Sequence, residues 1–157
     1  KRCLLIKYAG DNRYTDENYI ATHDHVVSSE KAIAVKTLAE VENNKDVDIN
    51  DFDVICIDEI QFYPDNLVFS RKWWRQGKTV IACGLYTNFR REPFRNMPDM
   101  IALADKVEFL TAICLDCEHD AATTSYRTTE ATEEIIIGGK NEYVPLCQRC
   151  YEKRTNL

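Results

Sequence analysis

No apolar run in this sequence approaches the roughly 18–20 residues that a membrane-spanning helix needs, so no helical membrane span is expected. The opening Lys1-Arg2-Cys3-Leu4-Leu5-Ile6-Lys7 is too short and too soon charged to read as a signal peptide. A basic excess is missing too. The formal net charge is −6, which leaves no surplus to neutralise phosphates and argues against a general nucleic-acid or membrane-surface binder. Internal repeats and long low-complexity tracts are also lacking. What is present is 157 residues, 45% hydrophobic and 29% charged, enough for one compact soluble domain with a real core and a small appendage.

An even cysteine count is lacking as well, which argues against a disulfide framework. Of seven cysteines, Cys3, Cys56 and Cys83 lie in apolar strand-like runs and are expected as buried, reduced thiols. The other four form two Cys-x-x-Cys pairs, Cys114/Cys117 and Cys147/Cys150, separated by 29 residues. Each pair can chelate one side of a tetrahedral zinc ion, and two pairs close the shell, leaving no position for substrate. A structural zinc in a reducing, cytoplasmic setting is the expectation. The competing reading is two unrelated redox or free cysteine pairs.

Hydrophobic patterning predicts strands over 2–9, 53–58, 79–85 and 106–113. It predicts helices over about 30–43 (capped by Ser28 or Ser29), 65–76 and 98–104. This β–α–β–α–β–α–β order calls for a parallel sheet with helices on both faces. The Trp73-Trp74 pair reads as helix packing. At Cys114 the composition turns polar, so residues 1–113 read as an α/β core. Residues 114–157 read as a zinc-pinned lasso or ribbon carrying a hairpin.

The run Val54-Ile55-Cys56-Ile57 ends in two adjacent carboxylates, Asp58 and Glu59. Parallel α/β sheets place ligand sites at the C-terminal ends of strands, where one acid can hold a metal and another move a proton. The plain alternative is a strand that stops and a solvated loop that begins.

Further stretches belong beside these: Ile6-Lys7-Tyr8-Ala9-Gly10-Asp11-Asn12-Arg13-Tyr14, Thr22-His23-Asp24, Ile57-Asp58-Glu59-Ile60-Gln61-Phe62-Tyr63-Pro64-Asp65, Gly77-Lys78-Thr79-Val80-Ile81, Asn88-Phe89-Arg90-Arg91-Glu92-Pro93-Phe94, Leu110-Thr111-Ala112-Ile113-Cys114, Ile137-Gly138-Gly139 and Cys147-Gln148-Arg149-Cys150-Tyr151. Taken together they resemble one family, the zinc-containing, P-loop-type thymidine kinases of cytosol and viruses, and they occur in the family's order along essentially the whole chain.

The resemblance implies a P-loop-NTPase-like α/β fold and transfer of the γ-phosphoryl group of ATP to the 5′-hydroxyl of thymidine. It implies that Glu59 is the general base and that Asp58 helps hold magnesium. Phe62, Leu85, Phe89 and Phe94 are then walls of the thymine pocket, and Thr124 lies against the base. Ile137, Gly138, Gly139 and Tyr143 belong to the loop over the substrate. Asp11 and Arg13 lie near sugar and phosphates, and Cys114, Cys117, Cys147 and Cys150 hold zinc. Feedback inhibition by thymidine triphosphate and a homotetramer are implied as well. For His23 the expectation is a structural hydrogen bond.

The sequence departs from the family at three places. Phosphoryl transfer in this fold uses a Gly-x4-Gly-Lys-Ser/Thr loop, and residues 1–157 contain none. Gly77-Lys78-Thr79 lacks the leading glycine, since Lys72 stands there, and is expected to be a turn into a strand. The sequence is then either part of a longer kinase or a relative without a phosphate loop, and residues 1–157 alone are expected to be catalytically poor. Ile60 stands where the family usually has Gly, and Tyr86-Thr87-Asn88 replaces the usual Asp-Gly-Thr. A non-catalytic scaffold or nucleoside-binding subunit is the alternative function. A zinc-ribbon nucleic-acid module is disfavoured by Glu118, Asp120, Glu130, Glu133 and Glu134.

Overall fold

The computed structural model describes residues 1–11, 19–21, 27–138 and 141–156. The chain divides into two compact units, Lys1–Leu85 and Tyr86–Leu157.

The first unit is built on a four-stranded, wholly parallel sheet of order β4-β1-β5-β6, so the fold is α/β as expected. Its strands are β1 (Cys3–Tyr8), the antiparallel pair β2 (Tyr19–Ala21) and β3 (Val27–Lys31) outside the main sheet, β4 (Ile33–Val35), β5 (Val54–Ile57) and β6 (Thr79–Ala82). Central strands covered on both faces need apolar residues at consecutive positions. β1 and β5 meet that need: Leu4, Ile6, Val54, Ile55 and Ile57 are all buried. Their register runs from Cys3 opposite Val54 to Ile6 opposite Ile57. Because the strands are parallel, Asp11, Asp58 and Cys83 all follow strand ends at the same edge of the sheet.

Helix α1 (Ala39–Glu42) is one turn long, and α2 (Asn66–Arg75) spans ten residues between β5 and β6. Gly77, at φ 79°, stops α2 in a left-handed conformation that glycine adopts without strain. Trp73 is fully buried and its indole N–H donates to Glu42, while Trp74 is half exposed.

Four expectations are corrected. The helix over 30–43 is instead the end of β3, all of β4 and the single turn α1. β1 needs a hydrogen-bonding neighbour on its open side, and the β-branched ends of Ile33-Ala34-Val35 suit a strand, pairing Ile6 with Ile33 and Tyr8 with Val35. The strand over 106–113 shrinks to β7 (Ala112–Ile113), paired antiparallel with β8 (Asp120–Ala122). Residues 106–111 pair with no strand among the described residues, and Phe109 and Leu110 are exposed. The alternating order of seven elements therefore does not hold to its end. Finally, Cys3 and Cys83 are exposed and Cys56 is only partly buried.

The second unit contains α3 (Met97–Leu103), β7, β8, β9 (Thr124–Arg127), β10 (Tyr143–Leu146) and α4 (Gln148–Thr155). β9 and β10 form an antiparallel hairpin, with Thr124 opposite Leu146 and Arg127 opposite Tyr143. Its apolar core is small: Cys114, Ala122, Leu146, Cys150 and Tyr151, with Tyr126, Val144 and Cys147 packed against it.

Candidate active site

At the end of β5 the Asp58 N–H still donates to the Ile6 carbonyl at 2.9 Å, so the acid is anchored by the sheet itself. Its Oδ1 accepts the Glu59 N–H and the Cys83 thiol, both at 3.1 Å. Cys83 is exposed as a residue, but its sulfur faces the Ile57 carbonyl and Asp58. Desolvation there, then the hydrogen bond to Asp58, push the thiol up to about 12. At neutral pH Cys83 is thus a neutral donor to Asp58.

Glu59 has φ 51° and ψ 47°, a left-handed conformation that costs a non-glycine residue energy and persists only where its surroundings enforce it. The enforcement is visible. Ile60 N–H donates to the Cys83 carbonyl at 2.9 Å, and Phe62 N–H donates to the Glu59 carbonyl at 3.0 Å, opening a 3-10 turn at Ile60–Phe62. Ile60, the unusual residue here, opens this turn and is 2% exposed. Phe62 packs against Tyr8 with ring centroids 5.1 Å apart and planes tilted by 42°, and Tyr8 meets Tyr63 edge-on at 5.6 Å. Leu85 is 44% exposed. Asp11 sits in the turn after β1, its N–H donating to the Tyr8 carbonyl at 3.0 Å. Arg13 and His23 lie outside the described residues, as does Gly139.

Gly77-Lys78-Thr79 is the expected turn. The Lys78 ammonium donates to the Phe52 carbonyl at 2.7 Å, so its charge is spent on joining the α2–β6 turn to the segment before β5.

In the second unit, the loop carrying Phe89 and Phe94 is organised by Asn88. Its buried side-chain oxygen accepts the N–H groups of Arg90 and Glu92 at 2.9 and 3.1 Å. This is the self-capping turn chemistry available to Asn, and it gives Tyr86-Thr87-Asn88 a structural role. The Phe89 carbonyl accepts the Tyr151 hydroxyl at 3.1 Å, and Phe94 is buried.

Arg127 pins the following loop. Its guanidinium donates to the carbonyls of Ala131 (2.9 Å) and Glu133 (2.5 Å) and to the Tyr143 hydroxyl (2.7 Å), and lies 3.6 Å from the Phe89 ring centroid. The Tyr143 hydroxyl in turn donates to the Ile136 carbonyl at 3.1 Å. At Gly138 a Cβ would lie 2.7 Å from the Glu142 side chain, so the loop closes tightly where only glycine fits. Thr124 is 4% exposed, and its hydroxyl has no hydrogen-bond partner among the described residues.

The sulfurs of Cys114, Cys117, Cys147 and Cys150 all lie within 4.8 Å of one another. The Cys117 and Cys147 sulfurs are 3.8 Å apart. A tetrahedron with Zn–S bonds of about 2.3 Å has edges of about 3.8 Å, so the donor set fits zinc. Burial opposes ionisation of Cys114, but N–H groups of Cys147, Cys117 and Asp116 outweigh it and bring the thiol down to about 6. Thiolate is the metal-binding form.

Sequence reasoning missed Gln61 and Arg127. Gln61 stands two residues after the acid pair, and Arg127 looks like any surface arginine until its burial is seen.

A parallel α/β unit with paired acids at the strand ends, and a second unit pinned by four cysteine sulfurs, define the class. A thymidine kinase family model matches residues 1–151. The chain is 38% identical to thymidine kinase 1 of Dictyostelium discoideum, over 99% of this chain and 67% of that protein. It is 40% identical to the thymidine kinase of fowlpox virus and 39% identical to that of vaccinia virus, each over 96% of this chain and 80% of the viral protein. The chain belongs to the thymidine kinase family.

Proposed function

We propose that this protein is a thymidine kinase, transferring the γ-phosphoryl group of ATP to the 5′-hydroxyl of thymidine. The observation that carries the reading is the family match across residues 1–151. In this reaction the nucleoside oxygen bonds to phosphorus, the bond to the ADP oxygen breaks, and the hydroxyl proton goes to Glu59. Asp58, held by the sheet, helps fix magnesium, which supplies charge neutralisation on the phosphates.

Phe62, Leu85, Phe89 and Phe94 contact the thymine. Thr124 does so as well, and its unpartnered buried hydroxyl supports a role in which substrate supplies contact. Ile137, Gly138, Gly139 and Tyr143 form the covering loop, and Asp11 and Arg13 serve the sugar and phosphates. The division of labour follows a core of residues 1–113 and a lasso of residues 114–157 that the four cysteines pin through a structural zinc. A homotetramer, inhibition by thymidine triphosphate and a cytoplasmic location belong to the same reading. No helix among the described residues is long and apolar enough to cross a membrane. Residues 1–157 contain no Gly-x4-Gly-Lys-Ser/Thr loop, and by themselves they should bind thymidine without transferring phosphate.

The test is phosphorylation of thymidine by the full-length protein and its Glu59→Gln variant. Turnover should fall by about 10²- to 10⁴-fold, the usual share of a positioned general base, with thymidine binding little changed. A loss of binding at unaltered saturating turnover would instead make Glu59 a substrate-positioning group.

A further inference from the structure

We infer that Gln61 is a positioning residue for Glu59, clamping the carboxylate between the ends of β5 and β6. The inference rests on the kinase reading only for what Glu59 does there. The contact itself is independent of that reading. Gln61 is completely buried. Its Nε2 donates to Glu59 Oε2 at 2.6 Å, and its Oε1 accepts the Leu85 N–H at 3.1 Å. Both halves of the amide are used, so the orientation is set: turning it over would aim oxygen at the carboxylate and NH₂ at a backbone N–H. The end of β6 is shaped to receive it, because a Cβ on Gly84 would overlap Gln61 Oε1.

A buried amide with two defined partners is a rigid arm, and a short donor to a carboxylate fixes that carboxylate in space. Glu59 sits on a strained left-handed backbone, which the Gln61 donor couples to a fixed carboxylate position. Through the Leu85 N–H, Gln61 ties the orientation of the acid to the segment that follows β6. A base that must meet a hydroxyl proton at hydrogen-bond distance loses rate steeply when it wanders, so the arm serves the chemical step and not overall binding.

The experiment replaces Gln61 in the full-length protein. Gln61→Met keeps length and removes both hydrogen bonds, and kcat should fall about 10- to 100-fold while the KM for thymidine changes far less. Gln61→Glu keeps the length but puts an acceptor where the donor to Glu59 stood, so kcat should fall at least as far as in Gln61→Met, again with the KM changed far less. Gly84→Ala, which displaces the amide from outside, should reproduce the Gln61→Met kinetics in milder form. Nitrogen-15 NMR of the Gln61 side-chain amide reads the contact without turnover: the proton donated to Glu59 should be shifted downfield and exchange slowly.

Wild-type kcat in Gln61→Met or Gln61→Glu with only lowered thermal stability, or a fast-exchanging, unshifted Gln61 amide in the wild-type protein, would overturn the inference and leave Gln61 a packing residue. Should Gln61→Met fail to fold, Gln61→Glu and Gly84→Ala still decide. If the wild-type protein does not phosphorylate thymidine, the kinase reading fails while the amide NMR still tests the clamp.

Discussion

Lys1–Leu85 covers Ile6, Leu38, Val41, Ile55, Ile57, Ile60, Tyr63 and Trp73 almost completely, an apolar interior around a parallel sheet. In Tyr86–Leu157, the described residues buried to that degree are Cys114 and Leu146. There the shape rests on polar pins: four sulfurs within 4.8 Å, a guanidinium feeding loop carbonyls, and an asparagine folding its own turn. The first unit spreads its stability over many apolar contacts. The second concentrates it in a few groups with no substitutes. A chain segment that must follow a substrate gains from this arrangement, because a loop tied at two or three points is ordered without being packed solid.

The sharpest way to break this contrast is to remove the metal proposed for the four cysteines. Metal binding to such a site carries an apparent free energy on the order of 10 kcal/mol, far more than the small core around Leu146 can replace. Elemental analysis should find one zinc per chain. Chelation, or Cys114→Ser, should abolish hydrogen-exchange protection in β9, β10 and α4 while β1 and β5 keep theirs. Absence of zinc from well-folded protein, a disulfide among these cysteines, or equal loss of protection in both units would sink the idea.

Arg127 offers a finer test inside the second unit. Arg127→Met keeps the stem and deletes the donors to the Ala131 and Glu133 carbonyls and to Tyr143. The expected destabilisation is about 2–3 kcal/mol, the range for hydrogen bonds to a charged group. Arg127→Lys should rescue little, since one ammonium cannot serve three divergent acceptors. Limited proteolysis should cut residues 131–138 first in both variants. Wild-type resistance of that loop would mean that the cysteines alone order it.

The same contrast governs what could be read before the structure. β5 was legible because a strand covered on both faces must be apolar without interruption, and Asp58 marks where cover ends. α2 was legible from Pro64 and Gly77, which bound it, and the sulfur cluster from spacing alone. β4 was not, because its strand character comes from the open edge of β1, not from its own three residues. Residues 106–111 show the converse. An apolar, β-branched pattern favours a strand, but its backbone hydrogen bonds require a neighbour. At the end of β5 the acid pair Asp58 and Glu59 was legible as a strand end, whereas Gln61 and Arg127 act through burial and direction, which no local pattern records.

The mildest expected effect concerns Asp65, which was expected simply to begin α2. Its carboxylate makes no capping bond to its own helix. It accepts instead the N–H groups of Leu38 and Ala39, at 3.0 and 2.9 Å, from the start of the single-turn helix α1. A four-residue helix cannot satisfy its own first donors, and both carboxylate oxygens are needed here. Asp65→Ala should therefore cost about 1 kcal/mol, within the usual range for losing a cap. Asp65→Asn should do little better, because its NH₂ would face one of the two N–H donors. In urea the midpoint should fall with an unchanged slope, the mark of a local loss in a unit that still unfolds as one. Amide exchange should quicken at Leu38 and Ala39 and stay as it was in β9 and β10. Faster exchange in that hairpin would show that the two units share stability, and the contrast between an apolar interior and a pinned one would no longer describe how this chain is held.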